Sequence, residues 1–298
     1  MANNFNHVRA VLAETNPVVR AGLQSGLFRH GIRDVLVCRD VDQLRQALTQ
    51  EIIDLVICDV SLPPIPFAAV GQEIRQYRMG RNPFALMIAT LSEASSEEVR
   101  AGINGGADSM VRKPMPISAI TDRLAPLLRV RRPFVATEDY VGPNRRNNHR
   151  ESEMDGSVID TPITMREKAF GRHAPDHLQV LIDHAWAQIE QVRQRQTAET
   201  LLRIIDRVLA FYDGFGTIEG QKFDLNRLTS LCSRSDQPRL GVRSPEQGST
   251  GLADVVKRIA ASPLAPHQSQ LEQLARLRRS VGMDAAAKHH PGGRGLPN

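Results

Sequence analysis

Five times between residues 8 and 130, a short apolar run is followed by a segment with helical spacing. VRAVLA (8–13) precedes PVVRAGLQSGLFRHG, DVLVC (34–38) precedes VDQLRQALTQ, and IIDLVIC (52–58) precedes FAAVGQEIRQYR. PFALMIAT (83–90) then precedes SSEEVRAGINGG, and DSMVR (108–112) precedes PISAITDRLAPLL. The runs are continuously apolar instead of alternating, which is the pattern of strands covered on both faces. Strands that alternate with helices in this way pair in parallel, because each helix carries the chain back to the starting edge. The spacing therefore predicts an α/β fold around a parallel five-stranded sheet. Asn16 is placed to cap the first helix, with Pro17 in its first turn.

Three polar residues sit at or just beyond the carboxyl ends of these runs: Asp59, Thr90 and Lys113. In an open parallel sheet those ends meet at one crevice, where the strand order reverses. A carboxylate, a hydroxyl and an ammonium gathered there suit phosphoryl transfer. The carboxylate can accept the group, the hydroxyl can bond its oxygens, and the cation offsets its charge.

The chain changes character after RVRRP (129–133). Residues 131–175 are rich in Gly, Pro, Asn and charge without periodicity, the composition of a basic, polar linker. The arginines at 129, 131, 132, 145, 146 and 150 are read as its solvated charges. An all-α region is expected over 176–283. Leu178, Leu181, Ile182, Ala185, Ile189 and Val192 share one stripe, and Leu201, Ile204, Ile205, Val208 and Tyr212 another. The polar RQRQTAET between them leaves open one bent helix or two. GFGTIEGQ (214–221) breaks the pattern, and a mobile loop is expected near 233–251. Two more helices, LADVVKRIAAS and HQSQLEQLARLRRSV, precede a disordered tail at 284–298. His184 reads as an ordinary helical histidine.

With 38 Lys+Arg against 33 Asp+Glu, the net charge of +5 is too even to mark a nucleic-acid surface, so nucleic acid is not an expected partner. Cys38, Cys58 and Cys232 show no CxxC spacing, and Cys38 and Cys58, at the ends of predicted strands, read as reduced, buried thiols. No signal segment is evident and no apolar run reaches the ~18 residues of a membrane helix. The expectation is a cytoplasmic chain without membrane insertion. No Walker loop, HExxH or serine nucleophile elbow is present, and no enzymatic output is expected.

The first 130 residues resemble the receiver domain of bacterial two-component response regulators, CheY-like modules with a flavodoxin-like (βα)5 fold. VRAVLAETNPVVRAGL resembles that family's opening strand, acidic turn and first helix, and DLVICDVSLP its phosphoacceptor strand. LMIATLSEASSEEVRAGINGGADSMVRKPM resembles its second half, with Thr90 at the hydroxyl position and Lys113-Pro114 at the lysine position. The resemblance implies that Asp59 accepts a phosphoryl group from a sensor histidine kinase or phosphotransfer protein, with a cis peptide at the Lys-Pro step. It also implies Mg²⁺ held by Glu14, Asp59 and the backbone carbonyl of Ser61.

Three departures stand out. The family's opening acidic pair is Glu14-Thr15 here, so the site has one carboxylate fewer and Mg²⁺ should bind more weakly. Pro66-Phe67 replaces Asp-Gly after the phosphoacceptor turn, and Met110 stands where the family carries an aromatic relay residue. These departures motivate an alternative class, a pseudo-receiver adaptor that binds partners without phosphorylation. Under either reading, 176–283 is an interaction region for an unidentified protein or a second copy of the chain.

Overall fold

Each apolar run forms a strand, and each strand is followed by its helix. In chain order these are β1 (Arg9–Ala13), α1 (Pro17–Arg29), β2 (Asp34–Cys38), α2 (Val41–Gln50), β3 (Leu55–Asp59), α3 (Phe67–Arg75), β4 (Leu86–Leu91), α4 (Ser96–Asn104), β5 (Ser109–Arg112) and α5 (Ile117–Arg129). The computed structural model describes residues 4–137, 139–145, 158–215, 217–235, 252–261, 263 and 266–287. All four strand pairings of the sheet are parallel, in the order β2-β1-β3-β4-β5. The direction of winding reverses between β1 and β3, so the crevice opens at their carboxyl ends.

Alternate residues of the strands feed two cores. Val11, Val56 and Met87 pack with Leu44, Val70 and Ile74 of α2 and α3 on one face. Leu12, Ile57 and Ile88 pack with Leu27 of α1 and with Ile120 and Leu124 of α5 on the other. Asn16 caps α1 as expected, its side chain accepting the N–H groups of Val18 and Val19. Cys38 and Cys58 are free and buried, and burial pushes the Cys38 thiol up to about 11. The helical spacing after β3 runs on to Arg78, yet α3 stops at Arg75. Tyr77 turns into the left-handed region at φ 58°, and the N–H groups of Arg78 and Met79 return to the Glu73 carbonyl.

The described residues of the segment read as a linker, 131–175, are instead structured and docked. They form β6 (Phe134–Ala136), β7 (Val141–Pro143), β8 (Val158–Ile159) and α6 (Thr164–Ala169). The three strands form an antiparallel sheet in the order β7-β6-β8. A long helix, α7 (Pro175–Tyr212), follows as one element. Leu178, Ile182, Ala185 and Ile189 of α7 are buried with Phe134, Val141 and Ile159 and with Ile52 and Phe84, which precede β3 and β4. Leu178, Ile182 and Ile189 of α7 are fully buried and each contributes about 1.5–3 kcal/mol. The first compact unit accordingly runs from Met1 to Val192, well beyond residue 130.

Its charges explain why composition misled. Arg131, read as solvated, is buried, and its guanidinium bonds both oxygens of Asp108 at 2.7 and 2.8 Å. Arg75 reaches the same carboxylate at 2.9 Å and donates to the carbonyls of Gly106, Pro83 and Ala85. Both guanidiniums lie over the Phe134 ring, at 5.0 and 4.5 Å from its centroid. Lys168 of α6 pairs with buried Asp54 at 2.7 Å. Arg145 donates to the Ala107 carbonyl, whereas Arg129 and Arg132 are exposed as expected. Arg146 and Arg150 lie outside the described residues.

The described residues of the second unit, Arg193–Asn298, are largely helical, as expected. They comprise the remainder of α7 with α8 (Ile218–Ser235), α9 (Leu252–Ala261) and α10 (Gln268–Ala287). Leu201, Ile204, Ile205 and Val208 close a core with Leu225, Leu228, Val255, Ile259 and Leu274. The break at 214–221 is shorter than the sequence suggested, since α8 begins at Ile218. The loop placed at 233–251 begins inside α8, and the tail placed at 284–298 begins inside α10; the rest of both falls outside the described residues.

Burial pushes the Asp108 carboxyl up, but Arg131 and Arg75 outweigh it and hold its pKa below the usual carboxylate range. Its stabilisation is therefore fully present above about pH 4 and is lost as pH falls through the depressed folded value. Asp108→Ala should cost about 3–5 kcal/mol in urea unfolding at neutral pH, because two buried guanidiniums lose their carboxylate. Arg45→Ala, at an exposed pair with Glu73, should cost less than about 1 kcal/mol.

Candidate functional site

The carboxyl ends of β1, β3, β4 and β5 bring the four residues singled out from the sequence to one place. Glu14 follows β1 directly, Asp59 is the last residue of β3, and the two residues are 1% and 4% exposed. Lys113 follows β5, and its ammonium lies 2.5 Å from Asp59 Oδ2 and 3.1 Å from Glu14 Oε2. The backbone N–H of Lys113 donates to the Leu91 carbonyl, which fixes the start of its reach, and the Lys113-Pro114 peptide is cis. Thr90 is the direct register partner of Asp59 in the neighbouring strand, so both side chains leave the same face of the sheet.

Each carboxylate is held at both oxygens. Asp59 Oδ1 accepts the N–H of Ser61 at 3.0 Å, and Glu14 Oε1 accepts that of Asn16 at 2.9 Å. Ser61 thus enters through its N–H. Burial pulls the Lys113 ammonium down, but hydrogen bonds and charge from Asp59 and Glu14 outweigh it, so its pKa lies above the ordinary lysine value.

Two supporting residues escaped the sequence reading. Arg20 Nη1 donates to the carbonyls of Glu14 and Thr15, at 2.9 and 3.1 Å, and pins the loop that carries the acid. Glu98 accepts the N–H groups of Ser92, Glu93 and Ala94 at 2.7–3.1 Å, while Ser95 Oγ accepts that of Glu98. This holds the loop after Thr90. The Ser-x-x-Glu capping box was the legible signal for it. Met110 is half-buried against α4, where a Cβ on Gly102 would come within 2.5 Å of its sulfur.

The oxygen donors fit a hard divalent cation. Glu14 and Asp59 converge on one ammonium, so a single cation can meet both, and Mg²⁺ is commonly bound through one or two carboxylates with waters completing the shell. Among the described residues no group of three or more His, Cys, Asp or Glu side chains could hold a metal, so a cation at this site would rest on the two carboxylates with backbone oxygens and water. His184 is exposed on α7, in keeping with an ordinary helical histidine.

Residues 10–125 match the sequence model of the response regulator receiver domain. The transcriptional regulatory protein QseB of Haemophilus influenzae is 30% identical over 161 residues, spanning 54% of this chain and 70% of that protein. The transcriptional regulatory protein PrrA of Mycobacterium bovis is 27% identical over 191 residues, spanning 62% and 75%. Among solved structures, the receiver domain of the sensor histidine kinase PA1611 from Pseudomonas aeruginosa PAO1, with a magnesium ion coordinated in its active site cleft, is 23% identical. It covers 40% of this chain and 95% of that one, with a TM-score of 0.36.

Replacing the shared cation exposes what it balances. Lys113→Met leaves two buried carboxylates without their ammonium, and such groups favour the protonated form. The variant should melt below the native chain at pH 7, and the gap should narrow as pH falls toward 4. On the alkaline side, Lys113 stabilises the native chain below the unfolded lysine pKa of about 10.4, and that contribution disappears as pH rises through its raised folded value. Thermal melts across this pH series check both limbs.

Proposed function

This chain belongs to the response regulators of two-component signalling, and on that premise we propose that Asp59 accepts a phosphoryl group from a sensor histidine kinase or a phosphotransfer protein. The observation that carries the reading is the 2.5 Å approach of Lys113 to Asp59 at the switch point of the sheet, with Thr90 in register beside them. A carboxylate oxygen of Asp59 attacks the phosphorus of a phosphohistidine in line. The new O–P bond forms as the P–N bond breaks, and the imidazole leaves with the electron pair. Lys113 offsets the negative charge as it gathers on the phosphoryl oxygens, and the Thr90 hydroxyl donates to one of them.

Glu14, Asp59 and the Ser61 carbonyl are the groups that would hold Mg²⁺, which when bound supplies further neutralisation at the transferred group. Thr15 provides no charge here, so the affinity for the ion is modest. The product is an acyl phosphate that carries roughly −2, and this new charge is the signal. No further chemistry is assigned to the chain: its output runs through the helices of 176–283, by contact with another protein or a second copy. Among the described residues no helix is long and apolar enough to cross a membrane.

Incubation with acetyl phosphate and Mg²⁺ should add one phosphate to the native chain by intact mass, and peptide mapping should place it on Asp59. Asp59→Asn should remain unlabelled; a label that survives this substitution would remove Asp59 as the acceptor. Thr15→Asp restores a second acid on the first loop. By calorimetry it should tighten Mg²⁺ at least about fivefold, because one unit charge about 4 Å from another is worth ~1 kcal/mol even at the dielectric constant of water.

A further inference from the structure

Tyr77 occupies a backbone conformation that a tyrosine does not favour. At φ 58° it sits just past the α3 C-cap, Gln76, where glycine is the usual residue. The Cβ of an L-residue crowds the following carbonyl there, so the surroundings must hold the conformation in place. Two side chains of α7 do so. Gln179 Nε2 donates to the Tyr77 hydroxyl at 3.1 Å, and the Trp186 ring meets the Tyr77 ring edge-on at 5.4 Å between centroids. The next residues back along α3 bind the small sheet. Gln72 bonds both backbone groups of Val141, and Gln76 donates to the Asp139 carbonyl.

The other end of α3 begins where the phosphoacceptor loop ends. Phe67, its first residue, is buried, and its N–H returns to the carbonyl of Val60, the residue after Asp59. Between the two ends the helix has no slack. A Cβ on Gly71 would fall 2.2 Å from the Gly105 carbonyl, and one on Gly105 would fall 2.6 Å from the Phe67 ring. A rod packed this closely shifts as a unit when its first turn is displaced, because close-packed interiors do not deform smoothly.

We propose that α3 transmits phosphorylation of Asp59 to α7, with Tyr77, Gln179 and Trp186 as the coupling junction; the inference rests on the phosphoacceptor reading above. A charge that arrives at Asp59 reorders Lys113 and the loop at 60–66, and that loop leads straight into α3. At the far end α7 follows the helix instead of detaching. Allosteric couplings typically shift an equilibrium by about 5- to 150-fold, too little to expel Leu178, Ile182 and Ile189 from their shared core. The docked half of α7 therefore moves with α3, and α7 runs on to Tyr212 in the helical unit.

Trp186 is the only tryptophan of the chain, so its emission reports this junction alone. The full chain is treated with acetyl phosphate and Mg²⁺, with phosphate on Asp59 followed by mass and Trp186 by fluorescence and by amide exchange across 176–192. The native chain should gain phosphate and change both signals together, and Asp59→Asn should do neither. Tyr77→Gly keeps the left-handed backbone without strain and removes the ring. It should label as the native chain does while its emission and exchange responses fall at least about fivefold, the lower end of typical couplings. A native chain that is labelled with Trp186 and 176–192 unchanged would overturn the coupling and leave the phosphoacceptor reading standing. A Tyr77→Gly chain that responds fully would remove the junction from the path. A native chain that takes no phosphate defeats the phosphoacceptor reading, and the coupling falls with it.

Discussion

Two carboxylates buried side by side repel each other and lose their hydration, so the carboxyl end of this sheet exists in its present form only because one ammonium serves both. Lys113 bridges Asp59 and Glu14, and their remaining oxygens are taken by the N–H groups of Ser61 and Asn16. The trio carries one net negative charge. Converting Asp59 to its acyl phosphate adds roughly one more, and the protein offers no second cation from among the four residues that meet here. A divalent ion held by Glu14 and Asp59 would balance what that product adds, so on the proposed reading it would meet a charge requirement of the product as well as aid transfer. The neutral Thr15 fits the same account. With one acid fewer, the resting site is already close to balance on its own lysine.

The opposite ends of the same strands are locked by the same kind of arrangement turned around. At Asp108 one carboxylate serves two guanidiniums, and the Phe134 ring lies beneath both. Burial pulls the Arg75 guanidinium down to about 10, which still leaves it charged at neutral pH. Arg131 comes from the segment after α5, so the cluster ties that segment to β4 and to the residue before β5. Asp54 and Lys168 do the same between β3 and α6. One strand joins the two regimes: Met87 of β4 donates its N–H to Asp108, and Thr90, three residues on, stands in register with Asp59.

The sheet was legible because its signal is local: each strand and helix announces itself within a dozen residues, and parallel pairing then puts strand ends together. Asp59, Thr90, Lys113 and Glu14 followed from that rule and from the family likeness. Residues 131–175 were illegible for the converse reason. Their charges look solvated in sequence, and the partners that bury them lie far away: Asp54 is 114 positions from Lys168, and Asp108 is 23 from Arg131. No window on a single chain can match such pairs. Helix α8 was legible but passed over, since Gln221, Leu225, Leu228 and Leu231 keep helical spacing after the glycine break. The question of one helix or two over 176–212 could not be settled by pattern, because RQRQTAET is polar yet helix-compatible.

Tyr77 marks a different kind of failure. The helical period continues through it to Arg78, and nothing in its neighbours foretells a left-handed turn, so local preference and final structure disagree at this residue. Such conflicts persist only where other contacts outweigh them, and they collect where a structure has work to perform. At Tyr77 the contacts that outweigh the conflict come from Gln179 and Trp186, which belong to a helix more than a hundred positions later in the chain. The end of α3 is thus braced by α7. The dependence is mutual in its energetics, because whatever shifts α3 must be felt by the side chains that hold its last turn. The strain at φ 58° is the local cost of joining the helix that begins beside Asp59 to the helix that continues into the second unit.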